Sequence, residues 1–252
     1  MTFATYTLIF LLGCAIGSFL NVLIVRIPKE ENVAFPASHC VHCKTPLKPW
    51  HNIPLISWIM LRGKCAFCGK PISVQYPLVE LLSGLLFLAV FLKMGVTLPA
   101  LGIAVAFLLL LTLSVIDFYY KMVPDSLNLS ALTLAIVSAY SLGALVDQMT
   151  NALIFAGAFS LLRFYLSYII KKEAMGEADI MIAATMGALL GVKLTLVAIF
   201  ISALLALPAL MLLRGESEES QQLPFIPFLA MAAWIVFMFD SPINDYLRGL
   251  YG

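Results

Sequence analysis

The sequence predicts an all-α polytopic membrane protein, with about eight transmembrane helices and a cytosolic four-cysteine loop that binds zinc. Three observations lead there. Of 252 residues, 62% are hydrophobic and only 12% are charged, and the mean hydropathy is +1.00, whereas a soluble domain carries about 25% charged residues. No core of this size could hide so much apolar sequence. The apolar residues also fall into stretches of about 20, the length that crosses a bilayer as helix. Finally, Lys and Arg concentrate on one side of those stretches. A net charge of +1 argues against a nucleic-acid binder or a disordered charged tail.

The expected spans are 5–25, 77–94, 98–116, 127–146, 150–170, 178–192, 194–213 and 224–240. The first resembles a signal peptide with a lipoprotein-like box at Leu11-Leu12-Gly13-Cys14, but no positive charge precedes it and the apolar run continues past Cys14, so it is expected to be retained. Gly13, Gly17 and Asn21 share one face of this helix, where small residues permit close packing and Asn21 can hydrogen-bond to a neighbour. The sixth stretch is short and is expected to tilt or to begin at the membrane surface. The loop after span one carries Arg26, Lys29, Lys44, Lys48, Arg62, Lys64 and Lys70; Lys121, Lys171, Lys172 and Arg214 fall on the same side. Only Lys93, Lys193 and Arg248 fall on the other, which places the first loop in the cytosol and both termini outside it.

That loop, about 27–76, holds Cys40-Val41-His42-Cys43 and Cys65-Ala66-Phe67-Cys68, two C-x2-C pairs separated by 21 residues. The spacing is that of a structural zinc site, with four thiolates closing a tetrahedron. Gly69 follows the second pair, where a turn can require positive φ. Disulfides or a redox pair are the rival readings, and a reducing compartment opposes lasting disulfides. His39, His42 and His51 could compete as ligands, with a solvated His51 favoured. Cys14, inside an apolar span, reads as a packing residue.

Acids beside spans are costly and are read individually. Asp117 stands at the end of span three, where the helix dipole disfavours a negative charge, although Lys121 at i+4 could pair with it. Asp125 follows Pro124 and is expected to cap span four. Asp179, with Glu177, opens span six and could cap it. On the expected topology Asp117 and Asp179 share one membrane face, where two adjacent carboxylates could share a proton and split a peptide bond without a metal. Glu80 lies a turn inside span two, as a buried acid with a role or as a headgroup-level residue. Arg163 either snorkels to the cytosol or pairs with an acid. The run Glu216-Ser217-Glu218-Glu219-Ser220 reads as a solvated loop. A zinc-ribbon scaffold and an ion- or proton-coupled transporter are the competing classes; a transporter would place its acids nearer the bilayer midplane.

These residues resemble the type IV prepilin leader peptidases, which are also N-methyltransferases. The resemblance is carried by Gly13-Cys14-Ala15-Ile16-Gly17-Ser18-Phe19-Leu20-Asn21-Val22 with Arg26-Ile27-Pro28, by Ser38-His39-Cys40 through Cys43, and by Asn52-Ile53-Pro54-Leu55-Ile56-Ser57-Trp58. Leu61-Arg62-Gly63-Lys64-Cys65, Ser73 and Tyr76-Pro77-Leu78-Val79-Glu80 extend it. Ile116-Asp117 with Val123-Pro124-Asp125 resembles the first peptidase motif, and Gly176-Glu177-Ala178-Asp179 the second. Ala178 stands where the family has glycine, and loses easy access to positive φ.

The resemblance implies catalytic aspartates Asp117 and Asp179, and an N-terminal methyltransferase-like unit over 1–95 followed by a membrane-embedded aspartic peptidase domain over 96–252. It implies structural zinc on Cys40, Cys43, Cys65 and Cys68, S-adenosylmethionine as methyl donor, and Glu80 as a candidate cofactor-binding residue that could deprotonate an amine. Prepilins or pseudopilins would be the substrates, at the cytosolic face of a bacterial inner membrane, with membrane lipid and a pilus or secretion assembly machinery as the surroundings.

Overall fold

A computed structural model describes residues 2–172, 175–212 and 223–251; the expected acidic loop at Glu216–Ser220 and Arg214 lie outside them. The described chain is mostly helical and divides into two compact units, Met1–Gly95 and Val96–Gly252.

In the first unit, α1 (Phe3–Arg26) and α3 (Gln75–Met94) pack on each other and bracket the cysteine loop, which holds a short α2 (Ile56–Met60). The helices meet at small residues. A Cβ on Gly13 would lie 2.7 Å from Phe87 Cβ, one on Gly17 2.7 Å from Ser83 Cβ, and one on Gly84 2.5 Å from Cys14 Sγ. Asn21 donates to the carbonyl oxygens of Gly17, at 3.3 Å, and Tyr76, at 3.1 Å, tying α1 to the start of α3. Gly17→Val therefore overpacks this crossing and should cost about 1–3 kcal/mol. Thermal unfolding in detergent reads the loss, and an unchanged midpoint would mean that the two helices do not meet here.

The second unit contains α4 (Leu98–Tyr120), α5 (Asp125–Val137), α6 (Leu142–Ile170), α7 (Glu177–Leu212), α8 (Ile226–Met238) and α9 (Asp240–Tyr251). Thr97 and Ser141 cap α4 and α6, each accepting from a backbone N–H three residues on. α4 packs on α5 and α8, and α7 on α5, α6 and α8. Phe107 of α4 meets Trp234 and Phe237 of α8, with ring centroids 5.0 Å away in each case.

Among the described residues, five helices are long and apolar enough to cross a membrane, or six if the bent pair α8–α9 counts as one span. The expected count of eight is not reproduced, for three reasons. The expected span 127–146 is the 13-residue α5, since the chain breaks before Ser141 and restarts as α6. The expected spans 178–192 and 194–213 run together as α7, broken only at Gly191 (φ 73°, ψ 172°). That break is sharp: the Thr195 hydroxyl lies between Met186 O, at 3.0 Å, and Gly191 O, at 2.7 Å, its one proton shared between them, whereas nine residues of straight helix span about 13 Å. Lastly, α8 turns by 78° into α9, a helix absent from the expectation.

Candidate functional site

The cysteine loop is built from two similar turns. In the first, Cys40 N–H donates to Thr45 O and Lys44 N–H to Cys40 O; in the second, Cys65 N–H donates to Lys70 O and Gly69 N–H to Cys65 O. Lys44 (φ 58°) and Gly69 (φ 69°) each follow the second cysteine of a pair in left-handed conformation, so the role expected of Gly69 is filled in the first turn without glycine. Paired backbone bridges, His39 to Pro46 and Lys64 to Pro71, close the two turns.

These turns bring Cys40, Cys43, Cys65 and Cys68 together, with all four Sγ atoms within 4.8 Å of one another and Cys40 Sγ 3.9 Å from Cys68 Sγ. Zn–S bonds of about 2.3 Å give a tetrahedron with edges of about 3.8 Å, so the donor set fits zinc. Hydrogen bonds from the Thr45 hydroxyl and N–H lower the Cys43 thiol to about 6, and the Cys68 and Phe67 N–H groups lower that of Cys65. Against the Lys70 N–H, burial and its three cysteine neighbours push Cys68 up to about 11. The histidines stand outside the cluster. His51 is not the solvated residue expected: its ring is half-buried, edge-on to Phe67 and Trp50.

Glu80 is buried in the first turns of α3, and its Oε2 accepts from Leu55 N–H at 2.8 Å. Ser18 also hydrogen-bonds it. Leu55 sits at φ 62°, ψ −51°, a costly conformation outside glycine that this bond helps to hold. Arg26, also buried, donates to the carbonyls of Asn32, Val33 and Pro36 and folds the loop back on the end of α1.

In the second unit, Asp117 is 8% exposed, one turn before the end of α4. Its expected discomfort is answered from elsewhere. Asp117 Oδ2 accepts from Ile226 N–H at 3.2 Å, so the carboxylate faces the N-terminus of α8, where a helix dipole favours negative charge. Lys121 forms no ion pair with it and instead ends α4 in left-handed conformation. Asp179, in the first turn of α7, accepts from Gly176 N–H, a capping-box-like bond. The buried Asn128 of α5 donates to Ala178 O at 3.2 Å and fixes this turn of α7. Neither Gly176 nor Ala178 has positive φ, so the alanine meets no backbone demand that only glycine could satisfy. Asp125 is exposed at the start of α5 and makes no capping bond, contrary to expectation; Pro124 occupies the cap position. Arg163 pairs with Glu177 at 2.9 Å.

Sequence reasoning missed Asn128 and the α8 N-terminus. Pro227, beside the first residue of α8, was the available signal for the latter.

Residues 11–94 match the Bacterial Peptidase A24 N-terminal domain, and residues 104–211 match the Type IV leader peptidase family. The chain is 35% identical to a prepilin leader peptidase/N-methyltransferase of Xanthomonas campestris pv. campestris, over 94% of this chain and 92% of the relative. The chain belongs to the type IV leader peptidase family. Two more relatives of the same name, from Aeromonas hydrophila and Neisseria gonorrhoeae, are 35% and 34% identical, over 96% and 92% of this chain and 93% and 90% of their own lengths. No solved structure matches the chain. Within this leader peptidase, the two family regions fall one in each compact unit.

Proposed function

We propose that this chain cleaves the leader from type IV prepilins and pilin-like secretion subunits and then N-methylates the new N-terminal residue. The observation that supports the reading is the placement of Asp117 and Asp179 near helix ends of one unit, Asp117 accepting from Ile226 N–H at the start of α8 and Asp179 standing in the first turn of α7 that Asn128 fixes. Two such groups resist joint ionisation, so one keeps a proton. The ionised carboxylate takes a proton from a water, whose oxygen attacks the scissile carbonyl carbon. The protonated carboxyl hydrogen-bonds the carbonyl oxygen and gives up its proton as that oxygen gains charge. Collapse of the tetrahedral intermediate breaks the C–N bond; the leaving amine takes the proton held by the carboxyl that acted as base, and one hydroxyl of the intermediate returns its proton to the other carboxylate, which restores the singly protonated pair. Asn128, through Ala178 O, keeps the α7 turn in register with α5.

The released α-amine has a pKa near 8, so a fair fraction is already nucleophilic at neutral pH. S-adenosylmethionine supplies the electrophilic methyl group. The first unit, 1–95, is assigned to this step, with Glu80 the candidate residue at the donor or amine. The four cysteines hold a structural zinc. Eight passes remain the preferred topology, with α7 as two passes hinged at Gly191 and α5 as a short one. The Lys and Arg distribution supports a cytosolic face for the aspartates, and the membrane proposed for the protein is the bacterial inner membrane.

The test is incubation of the purified protein with a prepilin-like peptide, with and without S-adenosylmethionine. A leader-sized fragment is expected in both reactions, and a 14-dalton gain on the mature fragment, about one methyl group, only with the donor. An intact peptide would refute the reading.

A further inference from the structure

The cysteine loop carries an apolar face that the two aspartates and four thiols do not explain. Ile56, Ile59 and Met60 recur at i, i+3 and i+4 on α2 and are 51%, 67% and 77% exposed, and Ile53 continues this surface at 43%. The opposite side of α2 is anchored: Trp58 stacks over Gly63 and its indole N–H donates to Ile72 O at 3.3 Å. The outward face is therefore held outward by packing.

Two further observations say what covers it. The residue before α2, Leu55, is hydrogen-bonded to Glu80, in the second turn of α3, itself a candidate span. Five residues of helix from Gln75 to Glu80 rise only about 7–8 Å, so α2 is pinned at the depth where that span enters the bilayer. The surrounding charge has one sign. Between Asn32 and Val79 there is no Asp or Glu, against Lys44, Lys48, Arg62, Lys64 and Lys70. All five are exposed, and none forms an ion pair among the described residues. A zinc tetrathiolate subtracts two charges and leaves the segment positive. Lys48 also lies over the exposed Trp50 ring, 5.3 Å from its centroid, a pairing suited to the headgroup layer.

We propose that α2 lies in the cytosolic membrane interface, its Ile56–Ile59–Met60 face sunk at the headgroup–acyl boundary while Lys48, Arg62 and Lys64 engage the phosphates of anionic lipids. A short apolar face with flanking cations is the pattern of an interfacial helix, and each Lys or Arg adds attraction to an anionic leaflet. The cysteine module is then a peripheral clamp on the bilayer, independent of the chemistry proposed above.

The test replaces Met60 by the photo-crosslinker p-benzoylphenylalanine in the full chain, reconstituted in nanodiscs of phosphatidylcholine with a minor fraction of phosphatidylglycerol. The same crosslinker at Leu85, exposed on α3, is the control for lipid capture. Illumination should give phospholipid adducts at Met60, with phosphatidylglycerol enriched several-fold over its mole fraction. Lys48→Glu with Arg62→Glu should abolish that enrichment and leave the metal content unchanged. Lipid adducts at Leu85 but none at Met60 would overturn the proposal. Adducts joining Met60 to another part of the chain or to a second copy would do the same, and adducts that merely track bulk composition would remove the anionic preference. No activity is read, so failure here is distinguishable from failure of the catalytic assignment.

Discussion

Asp117→Asn and Asp179→Asn should each lower leader release by about 10²- to 10⁴-fold, the usual contribution of a positioned acid or base. Asparagine keeps the size of the side chain and can still accept from Ile226 N–H or Gly176 N–H through its oxygen. The helix ends that hold the two side chains therefore survive, and the loss reports chemistry rather than collapse. Asp125→Asn should change little, because that side chain is exposed and makes no capping bond. The measurement is the rate of leader-fragment formation from a prepilin-like peptide by the three variants in one lipid preparation. Normal cleavage by Asp117→Asn, with loss in Asp125→Asn, would reverse the choice of first aspartate.

The second large effect concerns metal. Purified protein should carry about one zinc per chain, held by four thiolates. Binding energy at structural zinc is folding energy, about 10 kcal/mol or more in small zinc modules. Cys40→Ser should therefore empty the site and disorder the loop, whereas Cys14→Ser, buried between α1 and α3, should leave metal content unchanged. If methyl transfer belongs to unit 1–95, Cys40→Ser should damage it more than cleavage. Asp179→Asn should do the converse, blocking cleavage yet methylating a peptide supplied already cut. Radiolabelled methyl transfer, run beside leader release, reads both. Equal loss of both activities in both variants would merge the two units into one inseparable site.

What could be read from the chain depended on how local the cause was. The two cysteine pairs and Gly69 lie within a few residues of the turns they make, and their spacing alone gave the thiol cluster. The small-residue face of span one was readable because it follows the helix period. Asp117 was noticed for its misplaced charge, but its remedy comes from Ile226, 109 residues away, which no local pattern displays. Composition alone blurs helix ends: the apolar run from Leu127 to Leu145 hides a break that the Ser141 cap marks. Gly191 likewise is one glycine in an apolar stretch, and only the Thr195–Met186 contact reveals how far the chain turns there.

That turn bears on how the protein enters its membrane. From Glu177 to Gly191 the helix is about 21 Å long, short of the roughly 30 Å hydrocarbon core. On the eight-pass topology, such a segment gains too little from lipid to stay across the bilayer alone while the ribosome is still making its partner. On that topology the stretch after Gly191 would emerge first, and the two halves would then partition together as one hairpin, with Thr195 at its apex against the Met186 and Gly191 carbonyls. Asp179, at the mouth of the first half, would therefore reach its working depth only after synthesis has passed well beyond it. With Asp179 as the second catalytic carboxylate proposed above, the peptidase would remain inert during translation and be completed late in biogenesis.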